Sequence, residues 1–331
     1  MKGKVGLKDI ADALNISQST VSRALRNKPG VSPELREKVF KVAQDLNYSF
    51  KLLKEQSFRK VGIVIPDIAN PFFATVCYGI ESILRSNGYL TYLINTDEDM
   101  ELECDYVRSF IEDESLEGLV VAPSADTEEF YEKLQGTLPV VFFDRHYESL
   151  AIPSVLVDNK DVIFRATQYL VSLGHKSIAF IAGDHDLYTG RTRTEGFKEA
   201  VQLLGLDKNS CPIVSGNFRK SEAYEVTRGI FGRNSCTAVI ASSNKTTSGV
   251  LHAIRELGLA VPRDVSIIGF DDQEWMEYSD PPLTTIVQPA FTMGILAANM
   301  LLQQINGTSL QEHVVLKAEI KKRGSEGPHG S

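Results

Sequence analysis

Two short segments between residues 8 and 25 carry side chains that could read DNA bases. The second segment follows Ser17, which favours a helix start because its hydroxyl can accept a hydrogen bond from a backbone N–H. At 100° per residue from Gln18, one face of this helix is the more apolar and carries Thr20, Val21, Ala24 and Leu25. The opposite face carries Gln18, Ser19, Ser22 and Arg23. Amide, hydroxyl and guanidinium groups can bond to base edges in the major groove, so the pattern favours a helix-turn-helix module.

A third predicted helix and an uneven charge distribution support DNA binding over the alternative of a small helical bundle with another role. Ser32 and Pro33 are typical of a helix start, and the apolar residues that follow can close a three-helix core. Residues 1–60 contain 13 lysines and arginines against 6 acidic residues, whereas the rest of the chain contains 22 against 37. A basic module on an acidic body suits a polyphosphate partner, because neutralised phosphates release bound counterions.

Length and composition indicate a multidomain protein. The 331 residues are enough for two or three domains, and a hydrophobic content of 43% is ordinary for a globular chain. No apolar run approaches the roughly 20 residues that cross a bilayer, and no apolar signal core follows Lys2 and Lys4. The four cysteines show neither metal-site nor disulfide spacing. We therefore expect a cytoplasmic protein with reduced thiols and no membrane partner.

After a short basic connector at residues 51–60, apolar runs of strand length alternate with helical stretches. This alternation is typical of parallel sheets that are covered by helices on both faces. The number of runs fits two sheets better than one, so we predict an α/β body with two lobes. Ligands of such sheets bind at the carboxyl ends of the strands, which here would border a cleft between the lobes.

Motifs for nucleotide or hydrolytic chemistry are missing from the sequence. No strand is followed by a glycine-rich phosphate loop, and no nucleophile elbow or His-Glu-x-x-His zinc motif occurs. The six histidines are scattered along the chain. We therefore predict that the protein is not an enzyme and needs no cofactor or metal.

Motifs along nearly the whole chain resemble those of the lactose-repressor (LacI/GalR) family of bacterial transcription regulators. In the head, the similar stretches are Lys8-Asp9-Ile10-Ala11, Ser19-Thr20-Val21-Ser22-Arg23 and Leu46-Asn47-Tyr48. In the body, they include Val61-Gly62-Ile63-Val64-Ile65-Pro66, Asn70-Pro71-Phe72-Phe73, Gly269-Phe270-Asp271-Asp272 and Pro282-Leu283-Thr284-Thr285-Ile286. The resemblance implies a helix-turn-helix head, a hinge, a two-lobed effector domain like the periplasmic binding proteins, and a homodimer.

The resemblance also implies domain boundaries, with three chain crossings between the lobes near Asp158, Gln288 and Gly307. We expect a DNA-binding domain at residues 1–50 and a hinge at 51–60. The N-terminal lobe would comprise 61–158 and 288–306, and the C-terminal lobe 159–287 and 307–323. The Gly/Ser/Pro-rich residues 324–331 are expected to be disordered.

In the head, the resemblance places Gln18, Ser19 and Arg23 at the main base-reading positions, where Arg23 suits a guanine. Ser17, Thr20 and Ser22 complete the predicted DNA-binding set. An alternative for Ser19 and Ser22 is that they are ordinary exposed polar residues.

The hinge departs from the family pattern and is about four residues short. Counting back from the first strand places Leu53 where the family has a leucine that enters the minor groove, and such a wedge could unstack a base step. Leu52 and Leu53 could equally pack beneath the head.

The effector residues are predicted where strands stop. A sugar needs polar groups for its hydroxyls and an aromatic platform for its C–H face. Strand ends and the resemblance together give Asn70, Phe72, Phe73, Asp144, Arg145, Arg193, Phe218, Ser243, Asp271 and Gln288. Asp144 and Asp271 could instead cap helices, and Phe72 could belong to the core.

Lys245 and Arg191 add positive charge near the predicted cleft. They could favour an acidic effector, such as a sugar phosphate or a sugar acid. We prefer the alternative that they form a solvated face.

The sequence therefore predicts a repressor of carbohydrate-utilisation genes that binds double-stranded operator DNA. A small effector, either a sugar, a sugar phosphate or a sugar acid, would control its operator affinity. A solute-binding protein for sugar transport is the alternative, and the basic head argues against it. A doubly wound enzyme is a third class that no motif supports.

Overall fold

The structure is a computed structural model that describes residues 6–25, 30–46, 59–112, 116–232, 236–308 and 312–329. The chain divides into two compact units, a head that ends before Arg59 and a body that begins there. The hinge and its predicted wedge, Leu53, lie outside the described residues. None of the described helices is long and apolar enough to cross a membrane.

Three helices form the head: α1 (Leu7–Leu14), α2 (Gln18–Leu25) and α3 (Pro33–Asp45). Ser17 and Ser32 begin the second and third helices, since their hydroxyls accept hydrogen bonds from the backbone N–H groups of Thr20 at 3.1 Å and Leu35 at 3.2 Å. Asn15 ends the first helix in the left-handed conformation, with φ of 52°. The core is small and apolar and consists of Ile10, Ala11, Val21, Ala24, Leu25, Val39 and Ala43.

The body contains two six-stranded sheets, which confirms the predicted pair of sheets. In chain order, its strands are β1 (Arg59–Ile65), β2 (Tyr89–Asn95), β3 (Leu116–Val121), β4 (Val140–Phe143), β5 (Ser154–Val157), β6 (Ile178–Ala182), β7 (Ile213–Ser215), β8 (Ala238–Ala241), β9 (Ser266–Phe270), β10 (Thr284–Val287), β11 (His313–Leu316) and β12 (Glu319–Lys321). The first sheet has the order β11-β5-β4-β3-β1-β2, and the second has the order β12-β10-β9-β8-β6-β7. All pairs are parallel except β10 with β12.

Helices cover the sheets, as expected for parallel strands whose side chains are buried on both faces. They are α4 (Pro71–Ser86), α5 (Met100–Ile111), α6 (Glu128–Leu134), α7 (Asn159–Ser172), α8 (Tyr188–Leu203), α9 (Lys220–Phe231), α10 (Asn244–Glu256), α11 (Glu274–Glu277) and α12 (Ala290–Ile305), with a 3-10 turn at Lys208–Ser210. We call the first sheet with α4, α5, α6 and α12 the first lobe, and the second sheet with the remaining body helices the second lobe.

Two glycines bring α4 and α12 of the first lobe into backbone contact. A Cβ atom on Gly79 would lie 2.5 Å from the carbonyl oxygen of Phe291, and one on Gly294 would lie 2.1 Å from that of Val76. Any larger residue at either position would push the helices apart. The close contact between α4 and α12 therefore requires a residue without a side chain at both positions.

The third crossing between the lobes differs from the prediction. We expected it near Gly307, but β11 follows that glycine and pairs in parallel with β5 at the edge of the first sheet. The crossing comes after Leu316, since β12 pairs with β10 of the second sheet. Gly307, with φ of 87°, only follows the end of α12. The assignment of residues 307–323 to the C-terminal lobe was therefore wrong for the strand His313–Leu316.

The described part of the C-terminal tail is ordered, so the prediction of disorder from residue 324 was wrong for Gly324–His329. Ser325 is fully buried, donates a hydrogen bond to the carbonyl oxygen of Ile267 at 2.6 Å and accepts one from the N–H of Thr284 at 2.8 Å. The N–H of His329 donates to the carbonyl oxygen of Leu173 at 2.8 Å. A Gly/Ser/Pro-rich composition suggested disorder, but the Ser325 side chain satisfies backbone groups of β9 and β10 in the second sheet.

Because Ser325 satisfies a buried N–H group, we expect Ser325→Ala to lower the free energy of unfolding by about 1–3 kcal/mol. Urea denaturation of the full chain measures this change. The control is Ser172→Ala, which removes an exposed hydroxyl that donates to the carbonyl of Tyr169 within its own helix. Equal stability of the two variants would contradict the structural role of the tail.

Candidate functional site

The predicted DNA-reading face of the head is exposed. Gln18, Ser19 and Arg23 are solvent-accessible, whereas Val21, Ala24 and Leu25 of the same helix are buried. The structure thus separates the two faces as the helical spacing predicted. Their contact with DNA bases remains a prediction.

Three of the predicted DNA-binding hydroxyls bond to one another in the head. The Ser17 oxygen lies 2.7 Å from the Ser19 oxygen and 2.8 Å from that of Thr20. These bonds fix the first turn of α2 and engage Ser17, Ser19 and Thr20 locally. Gln18 and Arg23 project from the same helix as its longest polar side chains, which makes them the stronger candidates for base contacts.

A cavity of about 290 Å³ lies at the carboxyl ends of the body strands, between the two lobes. The structure brings all ten predicted effector residues to its wall: Asn70, Phe72, Phe73, Asp144, Arg145, Arg193, Phe218, Ser243, Asp271 and Gln288. Sequence reasoning missed further lining residues, namely Pro66, Asp67, Asp97, Glu98, Ala125, Asp184, Leu187, Thr189, Asn217, Arg219 and Asn244.

Two aspartates leave equivalent strands in the same strained conformation. Asp144 follows β4 with φ of 63°, and Asp271 follows β9 with φ of 62°. Both lie in the left-handed region, which aspartate tolerates better than most residues. The turn at each position places a carboxylate at the cavity, one from each lobe. Such strain at a cavity wall is typical of functional positions.

Arg193 is the central basic group of the second lobe. Its guanidinium donates to the Asn159 amide oxygen and to the Ser242 carbonyl oxygen, each at 2.7 Å, and it lies 3.9 Å from the ring centre of Phe270. Burial lowers the pKa of Arg193, while Asp144 and Asp271 counteract that shift. The side chain is therefore held in one orientation before any ligand arrives.

Asp271 accepts hydrogen bonds from both neighbouring elements. The Gln288 amide donates to one oxygen at 2.7 Å, and the Asn244 backbone N–H approaches the other at 3.3 Å. Burial raises the pKa of Asp271, and Arg193 followed by Gln288 opposes this shift. Burial likewise raises the pKa of Asp144, against the charges of Arg145 and Arg193.

Arg145 is almost fully buried and is paired with a carboxylate that the sequence analysis did not select. Both terminal nitrogens donate to Glu98, each at 2.7 Å, and one also donates to the Pro123 carbonyl oxygen at 3.2 Å. Burial alone would lower the pKa of Arg145, but the Glu98 charge raises it above its usual value. Glu98 comes just after β2, so its place near a strand end was the available signal.

Polar contacts join the two lobes at the cavity rim. The Asn244 amide of the second lobe donates to the Asn70 amide oxygen of the first lobe at 2.7 Å. Lys245 forms an ion pair with Asp67 at 2.5 Å. Lys245 therefore belongs to an inter-lobe contact, which neither of our two interpretations of this residue included. Arg191 lines a separate depression beside His146 and Tyr188.

The aromatic residues of the cavity differ in accessibility. Phe72 and Phe73 are 7% and 5% exposed, and they pack in the core of the first lobe while also lining the cavity. Phe218 is half-buried, and its ring lies so close to Gly183 that a Cβ atom there would clash. Phe218 therefore offers the more accessible apolar face for a ligand.

Charge in the cavity is close to balanced but negative. Six carboxylates line it (Asp67, Asp97, Glu98, Asp144, Asp184 and Asp271), against the four basic groups Arg145, Arg193, Arg219 and Lys245. Such a lining provides many hydrogen-bond donors and acceptors without an excess of positive charge. It suits a small neutral ligand that is rich in hydroxyl groups.

Two family descriptions match the chain in sequence. Residues 6–49 match the bacterial regulatory proteins of the lacI family, and residues 167–325 match the periplasmic binding protein-like domain.

Similar proteins match the chain over nearly its whole length. Catabolite control protein A of Priestia megaterium is 30% identical over 94% of this chain and 96% of that protein. The ribose operon repressor of Halalkalibacterium halodurans is 32% identical over 93% of this chain and 92% of that protein. A LacI family transcriptional regulator from Enterococcus faecium, solved with bound ribose, is 30% identical with a TM-score of 0.73 and covers 81% of this chain and 99% of that one.

His146, which lies where the two lobes meet, makes the stability of the folded protein depend on pH. Its ring packs edge-on against Tyr188 of the second lobe at 4.6 Å and against His313 at 5.0 Å. Burial, followed by the charge of His313, lowers the pKa of His146 to about 4. The unfolded chain therefore binds more protons than the folded one between about pH 6.5 and 4, so stability is lost as the pH falls through that range.

We expect the wild type to lose more stability than His146→Gln when the pH falls from 7 to 5, because only the wild type must keep this half-buried imidazole neutral. Urea denaturation at each pH measures the difference. His185→Gln, which removes an exposed imidazole, is the control and should follow the wild type. A constant difference between the wild type and His146→Gln across this range would refute the assignment.

Proposed function

The chain belongs to the lacI family of bacterial regulatory proteins and is a DNA-binding transcription regulator, and we propose that it represses carbohydrate-utilisation genes under the control of a neutral sugar. The observation that carries this proposal is the convergence of ten predicted effector residues on one inter-lobe cavity. The exposed polar face of α2 in the head supports the DNA-binding part of this function.

The head supports sequence-specific binding to double-stranded operator DNA. In this proposal Gln18, Ser19 and Arg23 contact bases, and Ser17, Thr20 and Ser22 contact the backbone or fix the helix start. One head offers a small contact area, so two heads of a homodimer would each occupy one half-site. The assignment of Leu53 to the minor groove remains part of the proposal.

The cavity supports a small, uncharged effector. Its volume of about 290 Å³ is at the lower end of small-molecule pockets, which suits a monosaccharide better than a longer saccharide. Asp144, Arg193, Asp271 and Gln288 provide convergent hydrogen-bond partners, and Phe218 provides an apolar face. The related Enterococcus regulator with bound ribose supports the same ligand class.

Control requires that the sugar bind two states of the regulator with different affinities, because a ligand with equal affinity for both shifts nothing. We propose that the states differ in how the lobes close on the cavity. Asn70 with Asn244, and Asp67 with Lys245, would be the contacts that change. The residues between head and body would carry this change to the operator-binding state.

The relatives support a regulator over the other two classes. Catabolite control protein A and the ribose operon repressor are named as regulators, and both match this chain over its head as well as its body. A transport protein would have no use for a basic head. We therefore propose a non-enzymatic regulator that acts in the cytoplasm, where its DNA is.

We expect Arg23→Ala to weaken binding to the genomic fragment that the wild type selects by about tenfold to hundredfold, because a bidentate contact to one base is lost. Gel-shift titration at several salt concentrations measures this loss. The control is Lys41→Ala, which removes an exposed charge from α3 and should weaken selected and bulk DNA alike. If Arg23→Ala keeps the full preference for the selected fragment, base reading by Arg23 is excluded.

We expect a neutral monosaccharide to raise the melting temperature of the full chain and to change its operator affinity, since binding to the folded state stabilises it by mass action. Phe218→Ala should weaken that sugar by up to about tenfold through loss of the aromatic face. Phe291→Ala, which removes a 41% exposed ring on α12 that does not line the cavity, is the matched control. Absence of any response to neutral aldoses would disprove the effector class.

A further inference from the structure

We propose that Glu98 is a specificity-determining residue that makes the cavity select neutral sugars over anionic ones by occupying Arg145. This inference rests on the proposed sugar effector and names the feature that sets its charge class. The supporting observations are the geometry of one ion pair and the partners of the other basic groups at the cavity.

The Glu98 carboxylate matches the guanidinium of Arg145 in a two-point contact. Each carboxylate oxygen accepts from a different terminal nitrogen, at 2.7 Å in both cases. Both residues line the cavity. The Arg145 side chain is 6% exposed, whereas that of Glu98 is 42% exposed. Glu98 therefore takes the position that the carboxylate or phosphate of an anionic effector would need.

The remaining basic groups of the cavity also have partners among the described residues. Lys245 pairs with Asp67 at 2.5 Å, and Arg219 pairs with Glu222 at 3.3 Å. Arg193 donates to Asn159 and to the Ser242 carbonyl oxygen. An anionic effector would have to replace one of these contacts while facing several carboxylates. Like-charge neighbours in a buried site are a strong means of rejecting a ligand.

The loop that carries Glu98 is held from both sides. Asp97 and Glu98 are consecutive residues with positive φ, at 52° and 63°. Before them, the Asn95 amide donates to Asp97 at 2.7 Å, and after them Asp99 caps α5 by accepting from the N–H of Leu102 at 3.0 Å. The backbone is therefore kept in an unfavourable conformation that directs the Glu98 carboxylate to Arg145. Strain that the surroundings maintain at a ligand cavity is typical of a selected function.

Asp97 provides a matched comparison for Glu98. It is the preceding residue, lines the same cavity and has the same backbone region, but its carboxylate accepts from Asn95. Glu98→Gln and Asp97→Asn each remove one negative charge from the cavity. Only Glu98→Gln also removes the carboxylate that binds both terminal nitrogens of Arg145, which would then keep Asp144, 3.5 Å from its Nε, and the Pro123 carbonyl oxygen as partners.

The test is calorimetric titration of the full-length wild type and both variants with matched sugars: D-glucose with D-gluconate, D-galactose with D-galacturonate, and D-ribose with D-ribonate. We expect the wild type to bind a neutral sugar at least about tenfold more tightly than its acid. Glu98→Gln should reduce that preference by about tenfold or more, because the neutral amide is a weaker partner that the carboxylate of an acid can displace from Arg145. Asp97→Asn should change it by less than about threefold.

A second variant guards against a folding defect. Glu98→Gly removes the carboxylate and suits the positive φ, so it should fold and should show the same gain for the acid. Thermal melting of each variant checks the fold.

Three results would overturn the inference. The wild type could bind an acid as tightly as its neutral partner, or Glu98→Gln and Glu98→Gly could gain no more than Asp97→Asn. Either result rejects the role of Glu98 but leaves a sugar effector in place. A wild type that binds none of the six compounds would reject the role of Glu98 together with the proposed effector class.

Discussion

The second-lobe wall of the cavity depends on the contacts that the buried guanidinium of Arg193 makes. A guanidinium that is removed from water must find acceptors for its N–H groups, and here they lie on several elements. Asn159 begins α7, Ser242 follows β8, Phe270 ends β9, and Gln288 follows β10. The contacts of this one side chain thus hold the carboxyl ends of β8, β9 and β10 in place relative to the start of α7.

The same requirement explains why charged side chains of opposite sign lie near one another in the cavity wall instead of singly. Arg145 pairs with Glu98 in the first lobe, and in the second the charges of Asp144 and Asp271 act on the buried Arg193, so strong donors and acceptors lie close together. A hydroxyl-rich ligand could exchange water for these groups with little rearrangement, which is what preorganised recognition requires. The near balance of charge at the cavity is therefore a consequence of burial.

Much of the fold and of the cavity follows from local sequence patterns. Buried apolar runs predict parallel strands, and the carboxyl ends of those strands identify Asp144, Asp271 and Gln288. Glu98 was not predicted because a carboxylate in a polar loop has no periodicity, and its partner is 47 residues away. The strand His313–Leu316 was misplaced because pairing with β5 depends on a distant sheet edge. The tail was misjudged because composition does not reveal which backbone groups need partners.

The contact between Gly79 and Gly294 has a mechanical consequence for this lobe. Asn70 caps α4, and Gln288 lies two residues before α12, so both cavity residues sit at the starts of the two helices that touch. With no side chains between the backbones at the crossing point, the pair has no compressible layer to absorb a displacement. A displacement of Asn70 or Gln288 would therefore move α4 and α12 together. A ligand that displaces the start of one of these helices would then also displace the other.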